Sequence, residues 1–531
     1  MKHFLFFSFM LYSIASIATT YKVGPSQTYN SIGSVPTHNL VAGDTVMVYY
    51  KPTPYYEKFL LAGVGTPTNP IVLMGIPDAN GNMPILDGEN AVSSTLFNFW
   101  NEDRQIIKVG QSGNSDYIII DGFVFRNANN LNTFTDKNGV QQSYNANACA
   151  IRPEECNNLL VRNCEVYNCG NGLQGGNGNP QVFTIEKSYI HDNGLSNDPN
   201  SPYIHNFYGE GGQGSIFTIQ YCRIGGVVGD GQNIKSRSDQ NIIRYNWIEG
   251  GNNRQLDLVD GVGFTMDSYI YGNVIIKTQT DSNKTIVHWG QDNGHNPSGT
   301  LYFYNNTVVN KCNSASYFLS SASGRSLVAQ NNIFYDASPS FSFGSFTGGL
   351  SGTNNWLSTS ISGAGSLTAS ITGTDPMFIS TTDPDYHLQS GSSCIDVVNG
   401  FTAPDGYLLD KEYVSHLSYV NRNVVNSNLD LGAYEYGTNL AIGKNRIKTG
   451  LKVYPNPFSE ATTIDFTNVI KPSSGNFRFY LYNVLGKEVV SFINISEDKV
   501  ILENKNLSSG VFVYKVFQNG NVVDVGKLVV K

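Results

Sequence analysis

The chain has 531 residues, too many for one compact globule, so several domains or one elongated repeat are the starting options. Only 14% of residues are charged, while Gly (54), Tyr (31) and Phe (29) are plentiful, which suits short strands and tight turns and disfavours long helices. A formal net charge of −8 argues against nucleic acid as the main partner, because phosphate binding needs a basic footprint.

At the N-terminus, Lys2 and His3 precede an apolar run from Phe4 to Ile17, and Ser16-Ile17-Ala18 supplies small residues at the usual cleavage positions. This predicts a secretory signal peptide over residues 1–18. No later stretch approaches the roughly 20 apolar residues that a membrane-spanning helix needs, so no transmembrane segment is expected. Seven cysteines follow: Cys149, Cys156, Cys164, Cys169, Cys222, Cys312 and Cys394. None shows zinc-ligand spacing. Export permits Cys164 with Cys169, or Cys149 with Cys156, to pair. Cys164 and Cys222 fall on a repeated inward position, however, and that favours buried free thiols.

The repeat reads apolar, two residues, a small or amide residue, one residue, apolar. It appears as Val161-Arg162-Asn163-Cys164-Glu165-Val166 and Ile185-Glu186-Lys187-Ser188-Tyr189-Ile190. It returns as Ile219-Gln220-Tyr221-Cys222-Arg223-Ile224 and Ile243-Arg244-Tyr245-Asn246-Trp247-Ile248. Three more copies put Asn273, Asn306 and Asn331 at the fourth position, and Ile119-Ile120-Asp121-Gly122-Phe123-Val124 is a looser early copy. Counting from one fourth position to the next gives steps of 24, 34, 24, 27, 33 and 25. A rung of that length cannot bury its apolar face alone, so rungs stack. Amide residues at the corners then bond from rung to rung, and the longer rungs carry projecting loops. The fold class expected is all-β: a right-handed parallel β-helix over residues 19–436.

Its ends resemble known proteins. Gly43-Asp44-Thr45-Val46-Met47-Val48, Asn69-Pro70-Ile71-Val72-Leu73-Met74-Gly75 and Ile85-Leu86-Asp87-Gly88 resemble the opening rungs of secreted β-helix polysaccharide lyases. Asp375-Pro376-Met377-Phe378, Asp385-Tyr386-His387-Leu388 and Leu429-Asp430-Leu431-Gly432-Ala433-Tyr434-Glu435 look like closing rungs of such proteins.

After Tyr436 the pattern changes, and residues 437–450 read as a linker. Residues 451–531 carry Leu451-Lys452-Val453-Tyr454-Pro455-Asn456-Pro457-Phe458, then Leu481-Tyr482-Asn483-Val484-Leu485-Gly486-Lys487-Glu488, then Leu507-Ser508-Ser509-Gly510-Val511-Phe512-Val513-Tyr514-Lys515. Alternating apolar positions with Pro and Gly at turns predict a small β-sandwich. The three motifs in this order resemble the C-terminal sorting domain of the type IX secretion system. That resemblance implies the secretion machinery as a partner and a secreted or cell-surface location, by way of the periplasm and outer membrane.

Chemistry is sought in the densest polar stretch, His205 to Asp260. It includes His205-Asn206-Phe207-Tyr208-Gly209-Glu210, Asp230-Gly231-Gln232-Asn233-Ile234-Lys235-Ser236-Arg237-Ser238 and Arg254-Gln255-Leu256-Asp257-Leu258-Val259-Asp260. Lys235 stands at an offset of 11 before Asn246, and offsets of 11 to 13 before other corners pick out Arg152, Glu210, Asp260 and His295. Stacking is expected to set these on one face. Such a face suits a uronate polysaccharide cleaved by β-elimination, which needs a neutralised substrate carboxylate, a base for the α-proton and an acid for the leaving oxygen.

Ile234-Lys235-Ser236 followed by the Asn246 rung resembles the chondroitinase B and alginate lyase family, and the resemblance implies Lys235 as base. In that family an Arg precedes a His-Gly, where this chain has Val259 and Asp260-Gly261, and two calcium-binding acids precede the Lys, where it has Val228 and Asp230. The expected roles are therefore Lys235, Arg237 and Arg254 in catalysis, and Arg152, His205, Tyr208 and His295 in substrate binding. Glu210 or Asp230 is the expected ligand of a calcium ion. A hydrolase would use paired carboxylates, for which Asp257 and Asp260 are candidates, but three residues apart on a strand they face opposite ways. A non-catalytic glycan-binding adhesin would use aromatic platforms such as Tyr203, Tyr208 and Trp289.

Overall fold

A computed structural model describes residues 18–531 except 96–99, 111–114, 176–181, 196–203, 261–264, 279–282, 314, 338–340, 427, 438–450, 468–476, 484–487, 506 and 519–520. All but Ala18 of the expected signal peptide, and all but Gly437 of the expected linker, lie outside the described residues. Two compact units are present, Met1–Thr438 and Asn439–Lys531.

The first unit is a parallel β-helix, right-handed as parallel crossovers are. Its strands line up in three long sheets of 13, 11 and 13 strands among the described residues. Alternation explains the register. Ile120, Val161, Ile185, Ile219, Ile243, Ile270, Phe303 and Ala329 occupy one position on successive rungs, and all are fully buried. A second inward row runs through Val166, Ile190, Ile224, Ile248, Ile275, Val308 and Phe334. Burying each such side chain stabilises the stack by roughly 1.5–3 kcal/mol, and only the neighbouring rung makes that burial possible.

The corner ladder forms as the spacing predicts. The Cys164 amide donates to Ser188 Oγ (3.2 Å), the Ser188 amide to Cys222 Sγ (3.4 Å), and the Cys222 amide to Asn246 Oδ1 (2.9 Å). It continues from Asn246 to Asn273, Asn306, Asn332 and Asn355 at 2.9–3.1 Å. Asn331, expected on this ladder, is one residue out of place and bonds Asn305 instead. The residue before each rung corner turns through a left-handed conformation: Asn163, Lys187, Tyr221, Tyr245, Gly272, Asn305, Asn331 and Asn354 have φ between 48° and 65°. Asn tolerates that bend, so in Asn331-Asn332 the first residue turns and the second stacks. All seven cysteines are buried free thiols, and burial pushes Cys164 and Cys222 up to about 12.

The expected closing rungs do something else. The last parallel strand is Ile371–Gly373, and the chain beyond it covers the outside of the second sheet. Phe378, Tyr386, Leu431, Ala433 and Tyr434 pack on Val274, Ile276, Val309, Ile333 and Trp356. Those outward positions are apolar and need a cover, which a final rung could not have given them.

The second unit has a three-stranded and a four-stranded antiparallel sheet. They enclose Phe458, Ile464, Phe466, Phe477, Phe479, Leu502 and Leu528, as a small sandwich should.

Candidate functional site

The third sheet carries the polar stretch. Its strands Phe207–Glu210, Ile234–Arg237, Leu256–Leu258 and Thr285–Trp289 pair in parallel. Phe207, Ile234, Leu256 and Val287 point into the core, so the next residue on each strand points out. That outward row is Tyr208, Lys235, Asp257 and His288. Arg152, paired with Lys108 on the same sheet, lies three rung steps from Lys235, roughly 14 Å away at the usual strand spacing.

Behind the row runs an amide chain that holds the rungs in place. Asn193 donates to Asn206 (2.9 Å), Asn206 to Asn233 (2.9 Å) and Asn233 to Gln255 (2.6 Å). Asn206, Asn233 and Gln255 immediately precede the site strands, and the whole chain is fully buried.

Two aspartates tie the outward row together. Asp257, fully buried, accepts Lys235 Nζ at 2.8 Å on one oxygen, and His288 Nδ1 (2.8 Å) and Arg254 Nη1 (2.9 Å) on the other. Asp292 sits on the loop of the long rung between Asn273 and Asn306, and accepts Lys235 Nζ (2.8 Å) and both terminal nitrogens of Arg237 (2.6 and 2.8 Å). Arg237 also donates to Tyr208 Oη at 3.1 Å and to the Asp260 carbonyl at 2.7 Å. His288 Nε2 lies 2.7 Å from Ser321 Oγ.

These contacts set the charges. Burial alone would raise the Asp257 carboxyl, but His288, Lys235 and Arg254 hold it far below the ordinary range. Burial likewise opposes ionisation of Asp292, and Arg237 and Lys235 overcome it. Burial, with Glu210 nearby, raises the Tyr208 phenol, so it stays protonated. His205 is pushed down to about 3 by burial and by the charges of Lys235 and Arg237. Its Nδ1 accepts the Gln232 amide (3.1 Å), so His205 is a neutral, structural ring under the site rather than a surface group for substrate.

The offset count therefore assembles only part of the face. Arg152 lies on the Lys235 row, but Glu210 pairs with Arg237, and Asp260 and His295 fall beyond the strands. Counted back from its own corner, Lys235 sits at 11, whereas Tyr208, Asp257 and His288 sit at 14, 16 and 18, because the connecting turns differ from rung to rung. Buried Asp260 caps the loop instead, accepting the amides of Asp292, Asn293 and His295. His295 is exposed on that loop.

Glu210 ends its own strand, whereas Asp230 lies before the start of the next, so the parallel pairing keeps them at opposite ends. Among the described residues no group of three or more His, Cys, Asp or Glu could hold a metal ion, and Glu210 and Asp230 are not brought together. Trp289 faces the core under the Arg325 guanidinium (3.5 Å) and offers no platform, and Tyr203 lies outside the described residues. Sequence reasoning missed Asp292, His288 and Ser321. The signal available for Asp292 was the long step from Asn273 to Asn306, whose extra length is the loop that carries it.

Residues 452–531 match the family described as Secretion system C-terminal sorting domain. The chain thus carries a type IX sorting domain and is secreted or held at the cell surface. Among the described residues no helix is long and apolar enough to cross a membrane. No curated protein matches the chain. Among solved structures, it is similar to a PL6 family polysaccharide lyase from Pseudopedobacter saltans, with 13% identity over 66% of this chain and 93% of that one and a TM-score of 0.27. It is also similar to DFA-IIIase from Arthrobacter chlorophenolicus A6, with 13% identity over 66% and 65% and a TM-score of 0.23. Likenesses this distant say nothing about the site.

Proposed function

We propose that this protein acts outside the cell on a uronate-containing polysaccharide, laid across the rungs of the third sheet, and cleaves it by β-elimination. The observation that carries the reading is the cradle around Asp292: a fork from Arg237 plus the Lys235 ammonium, gripping a carboxylate. A uronate carboxylate has the same shape and charge, and bidentate guanidinium pairing is selective for it. In this reading the substrate displaces Asp292, and Arg237 and Arg254 stabilise the charge that develops on the enolate. Arg254 keeps its Nε buried and without a hydrogen-bond partner, ready for such a load.

Lys235, freed from Asp292 and having given up its ammonium proton to solvent, takes the α-proton as a neutral amine, and the Tyr208 phenol protonates the leaving oxygen. Arg152 would hold a further sugar; its Nη1 is likewise buried and unpartnered. No step runs through calcium. Export would begin from the signal peptide at 1–18 in a Bacteroidota-type cell.

A second reading is hydrolysis by a pair of carboxylates. Asp257 and Asp292 each place an oxygen 2.8 Å from Lys235 Nζ, so those two oxygens are at most twice that distance apart, which admits the roughly 5–5.5 Å of retaining glycosidases. Both carboxyls are held ionised by their cationic partners, which leaves the pair without a general acid and favours elimination. The test is the full chain incubated with a panel of uronate polymers, with calcium or a chelator. Ultraviolet absorbance from unsaturated uronate, lost in Lys235→Ala, is the expected result. New reducing ends without that absorbance would replace elimination by hydrolysis; neither signal would leave a glycan-binding adhesin.

A further inference from the structure

We infer that Ser321, His288 and Asp257 form a second catalytic unit, a serine esterase that removes O-acyl groups from the glycan on this face. His288 Nδ1 lies 2.8 Å from Asp257 Oδ1 and its Nε2 lies 2.7 Å from Ser321 Oγ, an acid, base and nucleophile in line. These are the distances at which an aspartate fixes the imidazole tautomer and the imidazole takes the serine proton. Asp257 is fully ionised at neutral pH, held down by its three cationic or imidazole partners against the cost of burial. His288 is almost wholly buried and Ser321 is half-buried.

The neighbours fit the role. Ser321 Oγ accepts the Gln291 amide at 2.9 Å, which steadies the oxygen as its proton leaves, and lies 3.2 Å from the Gln291 carbonyl. Residue 290 is glycine: a Cβ there would come within 2.0 Å of Ser321 Oγ and 2.9 Å of His288 Nε2. Any side chain at 290 would break the line between base and nucleophile. Lys235 and Arg254, bonded to the same Asp257, give this end of the face the positive charge that a developing oxyanion needs.

The step balances. Ser321 Oγ attacks the acyl carbonyl while His288 Nε2 takes its proton; the ester C–O bond then breaks, and the sugar hydroxyl leaves with that proton. Water, deprotonated by His288, releases the acid and restores the serine. Elimination does not use Ser321, so this activity stands apart; only the glycan half of its substrate rests on the reading above.

The test is the full chain with 4-nitrophenyl acetate and, separately, an O-acetylated uronate polymer assayed for free acetate. Hydrolysis of both is expected, falling at least about 100-fold in Ser321→Ala and His288→Ala. A fluorophosphonate should label Ser321 in the unmutated chain, read by peptide mass, which a serine with a purely structural role would not allow. Hydrolysis of the nitrophenyl ester alone would keep the serine unit and overturn its glycan substrate. No hydrolysis of either ester, equal rates in Ser321→Ala, or absence of label at Ser321 would overturn the proposal, whatever the elimination assay shows.

Discussion

Arg237 grips Asp292 with two nitrogens, at 2.6 and 2.8 Å, although 55 residues separate them and Asp292 sits on a loop. The loop is fixed by three amides on buried Asp260, so the carboxylate is presented rather than stray. If it occupies the place of a substrate carboxylate, removing it should free the cradle. Asp292→Ala is expected to tighten binding of a uronate oligosaccharide by about 3–10-fold, in the range of one charge-assisted contact. Titration calorimetry with an uncleaved oligosaccharide measures this. Weaker binding would mean that Asp292 works with the substrate instead of in its place.

The corner ladder makes a stability prediction. Asn246 is fully buried; its amide nitrogen donates to Ile219 O (2.9 Å) and Asn273 Oδ1 (3.0 Å), and its oxygen accepts the Cys222 amide. Asn246→Ala leaves the Cys222 amide and Ile219 O without the side chain that paired them, while Asn273 Oδ1 keeps the Asn246 backbone amide, and is expected to cost about 2–4 kcal/mol. Cys222→Ser should cost much less, because Ser188 already fills a ladder position with its hydroxyl. Thermal melts of the two variants give the comparison, and equal losses would show that the ladder adds little.

The stack was legible in the sequence because burial repeats: the apolar residues flanking each corner must face the core, or the rung has no core. The corner amides were legible for the same reason, except where Asn331-Asn332 offered two equal candidates and only backbone conformation could choose. The site was legible in part. Lys235, Arg237, Arg254 and Tyr208 do converge, but their neighbours depend on turn lengths that no rung repeats. Asp292 and Ser321 come from loops on later rungs, and loops carry no periodicity from which to count.

His205 predicts how the β-helix unit responds to acid. It is pushed down to about 3, chiefly by burial and then by Lys235 and Arg237, whereas an unfolded histidine titrates near 6.5. As pH falls below 6.5 the unfolded chain takes a proton that the fold refuses. Stability is therefore full above about 6.5 and is lost down to about 3. His205→Gln, which can still accept the Gln232 amide, should flatten that part of the curve in urea titrations from pH 7 to 4. An unchanged slope would assign the loss to other groups.

Glu435 acts in the opposite direction. It lies almost fully buried near the end of the cover segment, with Arg422 Nη2 at 2.8 Å and Nε at 2.9 Å from one oxygen, while its other oxygen has no hydrogen-bond partner. A second buried glutamate, Glu412, faces the same arginine at 4.0 Å, so one guanidinium meets two carboxylates. Burial, then Asp430, pushes Glu435 up to about 7 despite Arg422. The unfolded chain ionises this group near 4.5 and the fold only near 7, so between those values the folded state holds the extra proton. Stability from this group is full below about 4.5 and falls as pH rises to about 7, by roughly 3–4 kcal/mol. Glu435→Gln keeps an acceptor for Arg422 and is neutral throughout. It should raise the melting temperature at pH 7.5, leave it nearly unchanged at pH 4.5, and remove the slope between. A variant less stable at both pH values would show that the charged pair with Arg422, rather than the protonated acid, holds the cover in place.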